Sequence, residues 1–509
     1  MTNKTFYMLV ALATLLVIVA MAIPIIAIIL PTAPPASTAL TAESTPVPET
    51  QPEPIVIGDS YREMRGLWIP TVNNNIFPSK AGLSKPKLES ELDSIVTFAK
   101  DNGFNTILFQ VRPEADALYR SELFPASRVV SGECGKNADG ELDCLAYLLE
   151  KAHANNIKVH AWVNPLRVAT SDSVFGAIPE TSPVAAHPEC VVKYADGKYY
   201  FDAGQPFVRE LVALGVREIC ENYDVDGIVF DDYFYPYPTQ NNDRFNDENT
   251  FAMYGDGMTL EDFRRDSVNK LIKSCFDTVK SIDSEIEFGV SPFGIWQNYD
   301  GSNGGSATKG LQAYHSIYCD ALAWANGGYV DYLAPQIYWS FDKAAAPFGV
   351  LAEWWSRALD GTGVHLYINH GVYKYDEGDM QSGEMAKQIE FSRGLYSYRG
   401  GMYFGYKALV NNTKGVLDEI KADFDRQAIS FEYTDNGHLT VDSYKNGDTA
   451  PHNAIISGKS NCAYPISVNG ITPLRYRDGS YSITLSLIRG DNLVTVINGN
   501  ERIEIVLKY

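Results

Sequence analysis

Eight times between Tyr61 and Phe424, a short apolar run is followed by a longer stretch with helical periodicity. The apolar runs lie at 64–70, 104–111, 157–164, 225–231, 285–292, 330–338, 364–371 and 400–406. The helix-like stretches lie at 86–101, 142–155, 207–222, 260–282, 307–326, 348–359, 383–395 and 413–424. In the first of these, Leu88, Leu92, Ile95, Val96 and Ala99 share one helical face. An unbroken series of this kind predicts an α/β fold in the form of a (β/α)8 TIM barrel. A doubly wound sheet is the alternative, but no Gly-rich phosphate loop follows the first strand. The barrel region, 57–428, exceeds the ~250 residues of a minimal barrel. The excess sits in the loops after the third strand (165–206) and the fourth (232–259), where a binding cleft is expected.

The flanks have a different texture. Residues 6–30 carry no charge and follow Lys4, and they are long enough for the ~20-residue span of a bilayer. Residues 1–30 read as an uncleaved signal-anchor, with a signal peptide cut near Ala39 or Ala42 as the alternative. The basic flank on the amino-terminal side puts the body outside the cytoplasm, membrane-anchored at the cell surface or secreted. Residues 31–56 are rich in Pro and Thr and read as a disordered linker. Residues 429–509 hold short alternating runs such as SYSITLSLI and NLVTVIN between NG, DG and GDN turns. They predict a small all-β sandwich of immunoglobulin-like size. The seven cysteines match no zinc spacing; most read as buried thiols, with Cys134 and Cys144 as the one candidate pair.

Period two along each strand selects the side chains that enter the barrel mouth. In VDGIVFDDYFYPYP (225–238), Gly227, Val229 and Asp231 share one face, while Ile228 and Phe230 share the other. A carboxylate ending an apolar strand is costly without partners or a task. By the same parity, strand two offers Gln110 and Arg112. Strand three offers His160, Trp162 and Asn164, with Arg167 just beyond. Strand five offers Ser291, strand six Gln336 and Tyr338, and strand seven Asn369. Arg65 and Trp68 flank strand one. Polar groups gathered at one end of separate strands supply hydrogen bonds to each other and to a ligand. Tyr233, Tyr235, Trp296 and Trp339, with Trp68 and Trp162, are suited to stacking on sugar rings. Each has a plainer reading: His160 as a core histidine, Asn164 as a strand terminator before Pro165, and Arg65 and Arg112 as structural counter-charges.

Five segments, MRGLWIPTV, FQVRPEADALY, HAWVNPLRV, DGIVFDDYFYP and LAPQIYW, resemble the glycosyl hydrolase-like 10 family in the same order. The resemblance spans about residues 61–425. It implies a bacterial envelope protein with a (β/α)8 barrel, and peptidoglycan or a related glycan as substrate. The spacing from Asp226-Gly227 to Asp231 also resembles the strand-four motif of retaining glycosidases such as the alpha-amylase superfamily, which implies a nucleophile's role for Asp231. Ala115 departs from the family pattern, where glycine precedes the residue matching Asp116.

Glycoside hydrolysis uses two carboxyl groups, and the sequence leaves the second open. Strands five and six end in Ser291 and Gln336, so Asp232, Asp116 and Glu114 compete for the role of acid. The net charge of −21 argues against nucleic acid and other polyanions as partners, and favours a neutral or cationic polysaccharide. No cofactor is called for. A non-catalytic glycan-binding protein on a degenerate barrel is the rival reading. A metal-dependent hydrolase using Asp231, Asp232 and His160 is a third, with no His-x-x-x-His spacing to favour it.

Overall fold

A computed structural model of the chain describes residues 63–424 and 437–509, Ala463 excepted. The expected membrane segment (1–30) and linker (31–56) lie outside the described residues. Among the described residues, no helix is long and apolar enough to cross a membrane.

Eight parallel strands close into a barrel. They are β1 (Met64–Ile69), β2 (Thr106–Arg112), β3 (Lys158–Val163), β4 (Gly227–Phe230), β5 (Glu287–Val290), β6 (Tyr332–Leu333, resumed at Gln336–Ile337), β7 (His365–Gly371) and β8 (Tyr398–Phe404). Each pairs with its neighbours in sequence, and β8 pairs with β1 to close the ring. The outer helices are α1 (Lys85–Asp101), α2 (Cys144–His153), α3 (Pro206–Asn222), α4 (Leu260–Ile282), α5 (Ala321–Gly327), α6 (Phe348–Leu359), α7 (Glu384–Arg393) and α8 (Val416–Phe424). The face of α1 read from its periodicity, Leu88 to Ala99, is the buried one.

One predicted helix is broken. Residues 307–326 form a single turn, Ala313–Ser316, and then α5. Tyr318 sits between them at φ 54°, a left-handed conformation that stops a helix. Asp320 then starts α5 afresh, its side chain accepting the Ala323 N–H. The long loop after β3 folds as a three-stranded antiparallel sheet of Arg167–Ala169, Tyr199–Phe201 and Val191–Lys193. All seven cysteines are free thiols, so Cys134 and Cys144 are not bonded.

Side chains fill the lower barrel. Trp68, Leu108, Trp162, Val229, Tyr332, Tyr367 and Met402 form an inner cluster, separate from the larger one between strands and helices. Glycines on β4 and β5 make room for two inward-pointing rings, those of His160 and Tyr332. A Cβ on Gly227 would stand 2.7 Å from the His160 ring, and one on Gly289 would stand 2.1 Å from Tyr332. The barrel is therefore closed below and hollow only at its mouth.

Beyond the barrel, two three-stranded antiparallel sheets share an apolar core. One is Asn453–Lys459, Ser480–Ser486 and Leu474–Arg475; the other is Ile466–Val468, Asp491–Asn498 and Glu501–Lys508. They meet the barrel at the amino-terminal ends of its last two strands. Arg475 reaches Asp360 at 3.6 Å, with both side chains 3% exposed. Its guanidinium lies 3.9 Å over the Tyr396 ring, and Leu395 bridges to Tyr476. Burial lifts the Asp360 carboxyl to about 6 even against Arg475. Arg475→Met leaves that carboxylate buried without this cation, so a stability loss of about 3 kcal/mol is expected at pH 7. The loss should shrink at pH 5, where the carboxyl is neutral; thermal unfolding at the two pH values measures both.

Candidate active site

β4 carries the centre of the site. Ile228 and Phe230 face the helices, Val229 faces the barrel interior, and Asp231 continues on the inward side. Asp231 is 4% exposed and held on both oxygens. Trp162 Nε1 donates to Oδ2 at 3.1 Å, and Asn164 Nδ2 donates to Oδ1 and Oδ2 at 3.1 and 3.0 Å. Asn164 is itself fixed, because its Oδ1 accepts the Arg167 N–H at 2.8 Å. Burial pushes the Asp231 carboxyl above the usual carboxylate range, while the Arg167 charge and these donors pull it back.

Asp232 has opposite parity but reaches the same cavity. The strand ends at Phe230, and Asp232 enters a tight turn in which its carbonyl accepts the Phe234 N–H at 3.0 Å. Once extended geometry stops, parity no longer decides direction. The Tyr237 hydroxyl donates to Asp232 Oδ2. Burial, reinforced by the neighbouring Asp231 charge, raises the Asp232 carboxyl to about 6.

The two carboxyls line a cavity of about 490 Å³ at the barrel mouth. Its walls bring together most of the sequence-selected residues: Trp68, Gln110, Trp162 and Arg167 on one side, and Tyr233, Ser291, Gln336, Tyr338, Trp339 and Asn369 on the other. Asn369 Nδ2 donates to Ser291 Oγ at 3.0 Å, and Gln336 Nε2 donates to the Ser291 carbonyl at 3.0 Å. Gln110 Oε1 accepts the Thr71 and Val72 N–H groups at 2.9 Å each, while its buried Nε2 and the indole N–H of Trp68 have no protein partner. Such atoms at a cavity wall are suited to a polar ligand.

Other sequence-selected residues lie elsewhere. Asn164 sits behind Asp231 and acts through it. Arg112 leaves the inward face because the β2–β3 register shifts between Gln110 and Arg112, so its guanidinium lies 4.1 Å over Phe124. His160 points inward but too deep, with Nδ1 2.9 Å from the Tyr332 hydroxyl; burial lowers it to about 4, so it is neutral. Arg65 lies near the amino-terminal end of β1, donating to the Phe424 carbonyl at 2.7 Å. Tyr235 packs under Arg264 between Phe245 and Tyr318. Trp296 stacks on Trp354 and donates to Asp320 at 3.1 Å. Asp116 accepts hydrogen bonds from Ser127 Oγ and the Glu114 N–H, and burial raises it to about 7. Glu114 is taken up by Arg128 and Thr170. Neither lines the cavity.

Sequence reasoning passed over Tyr237, Phe293, Tyr373, Lys374 and Phe404, which also line it. Tyr237 had a signal, since it belongs to the aromatic run that follows Asp232. Phe404 ends β8 and stacks on Tyr338 at 6.0 Å between centroids. Tyr373 and Lys374 open a short helical turn after β7, Lys374–Glu377, with no pattern to mark them.

No group of His, Cys, Asp and Glu able to hold a metal ion occurs among the described residues. The model of the family described as glycosyl hydrolase-like 10 matches residues 63–385. Glycosyl hydrolase YngK of Bacillus subtilis (strain 168) is 37% identical over 371 residues, covering 72% of this chain and 72% of that protein. Glycosyl hydrolase DigH of Escherichia coli (strain K12) is 34% identical over 385 residues, covering 71% of this chain and 86% of that protein. Among solved structures, the PgaB (BpsB) glycoside hydrolase domain from Bordetella bronchiseptica aligns with a TM-score of 0.45 at 12% identity, over 71% of this chain and 99% of that one. That distance carries nothing about function. The family match and the two relatives do, and by them this chain belongs to the glycosyl hydrolase-like 10 family.

Proposed function

We propose that this chain is an extracytoplasmic glycoside hydrolase acting on bacterial cell-wall glycan of the peptidoglycan type. The observation that carries the reading is the carboxyl pair at the mouth, whose members have different environments. Burial raises both carboxyls, but the Arg167 charge and fixed N–H donors pull Asp231 back toward its ionised form. Asp232, beside the Asp231 charge, is lifted to about 6 even though it accepts the Tyr237 hydroxyl. Environments that push two neighbouring carboxyls apart separate an acid from its partner. Asp232 is the general acid, and Asp231 is the charged partner at the reacting carbon. Of the three candidates for the acid, only Asp232 lines the cavity.

Several features support a glycan as ligand. Aromatic rings from or just beyond seven of the eight barrel strands surround the pair, and amide groups stand between them. The net charge of −21 disfavours polyanions, while Arg167 and Lys374 at the mouth suit an isolated carboxylate such as that of a muramic acid. The apolar run at 6–30 supports export, with membrane contact through that segment alone. Two relatives that match most of the chain bear the name glycosyl hydrolase.

Digestion of purified glycan strands, with and without peptide stems, tests the reading. New reducing ends, identified by mass spectrometry, are expected from the wild-type protein. Strand binding without any products would leave a glycan-binding protein on a barrel scaffold.

A further inference from the structure

We propose that the nucleophile is not a protein group but the 2-acetamido group of the substrate sugar, with Asp231 accepting its N–H and Asp232 protonating the departing oxygen. This rests on the hydrolase reading above and narrows its substrate class to 2-acetamido sugars.

The first argument is one of walls. A covalent double displacement needs carboxyls ~5–5.5 Å apart on opposite sides of the scissile bond, and inversion needs them ~6.5–9.5 Å apart, again on opposite sides. Asp231 and Asp232 are the only carboxyl residues among the described residues lining the cavity, and they are consecutive. Their Cα atoms stand about 3.8 Å apart, so both approach a ligand from the end of β4. Across the cavity, the walls from β7, β8 and β1 offer an amide, Asn369, and the rings of Phe404, Tyr373 and Trp68. No carboxylate there attacks from the far side. The opposing nucleophile must come with the substrate.

The second argument is the state of Asp231. Both of its oxygens already accept N–H groups. A carboxylate held this way is built to accept one more N–H in a fixed direction. Trp162, which supplies one donor, also packs edge-on against Trp68 at 4.9 Å and lies 6.5 Å from Phe404. An apolar corner beside a carboxylate fits an acetamido group, with its methyl against the rings and its N–H toward Asp231.

The steps balance. The acetamido carbonyl oxygen bonds to the anomeric carbon as the glycosidic bond breaks. Its electron pair goes to the leaving oxygen, which takes the Asp232 proton, and the acetamido proton passes to Asp231. Water then attacks the same carbon and gives its proton to Asp232. The ring bond to the acetamido oxygen breaks, and nitrogen recovers its proton from Asp231. The product keeps its anomeric configuration.

The test uses the full chain on strands of 2-acetamido sugars, on the same strands after chemical N-deacetylation, and on the acetylated strands with a thiazoline analogue of the bicyclic intermediate. Cleavage of the deacetylated polymer should be at least ~100-fold slower, the loss of an intramolecular nucleophile. The thiazoline should inhibit competitively. Equal cleavage of both polymers, or a glycosyl adduct on Asp231 after treatment with a 2-deoxy-2-fluoro sugar, overturns this inference and leaves the hydrolase reading intact. Cleavage of neither polymer overturns both.

Discussion

Asp232→Asn is expected to lower kcat on glycan strands by roughly 10³-fold, about 4 kcal/mol of barrier. The amide keeps the size of the side chain and its place beside Tyr237 but has no acidic proton to give. The defect should depend on the leaving group. An aryl glycoside that departs as a nitrophenolate needs no proton, so its cleavage should fall by less than about tenfold. The pH profile separates this from a structural defect. Asp232 must be protonated to act, and its carboxyl lies at about 6, so wild-type kcat should fall as pH rises through that value. That alkaline limb should vanish in the variant. A uniform loss on both substrates with the limb retained would remove Asp232 from the role.

Asp231→Asn should cost a similar roughly 10³-fold, but without regard to the leaving group, because it removes the negative charge that balances the positive charge developing on the sugar and its acetamido group. The variant meets the Trp162 and Asn164 donors with one oxygen instead of two. Strand binding should therefore survive while turnover is lost. Steady-state kinetics on aryl and natural substrates, beside a binding isotherm, distinguish the two variants. If Asp231→Asn behaved like Asp232→Asn in its leaving-group dependence, the division of labour between them would be wrong.

The barrel was legible because its signal repeats: eight apolar runs, each answered by a helical face, with strand positions recovered to within a few residues. Parity also placed Trp162, Asp231, Ser291 and Asn369 on the inner face. It failed where its assumption of a continuous, evenly paired strand failed. The register shift before Arg112 turned that side chain outward. Parity gives a face and not a depth, which is why His160 is inward yet beneath the cavity. Past Phe230 there is no strand to count along, so Tyr235 and Tyr237 were indistinguishable in sequence. One packs under Arg264 and the other touches Asp232. Asp116 and Glu114 competed in sequence for the role of acid, but buried polar partners claim both.

The carboxyl-terminal sheets clasp the foot of the barrel through Asp360, Leu395 and Tyr396, at the amino-terminal ends of β7 and β8. The cavity opens at the other end of the same strands. Force applied through those sheets would pass into α6 and β8 without crossing the loops that shape the mouth. Whatever grips the foot orients the molecule, and a stiff polymer can travel past the mouth with nothing of the handle in its way.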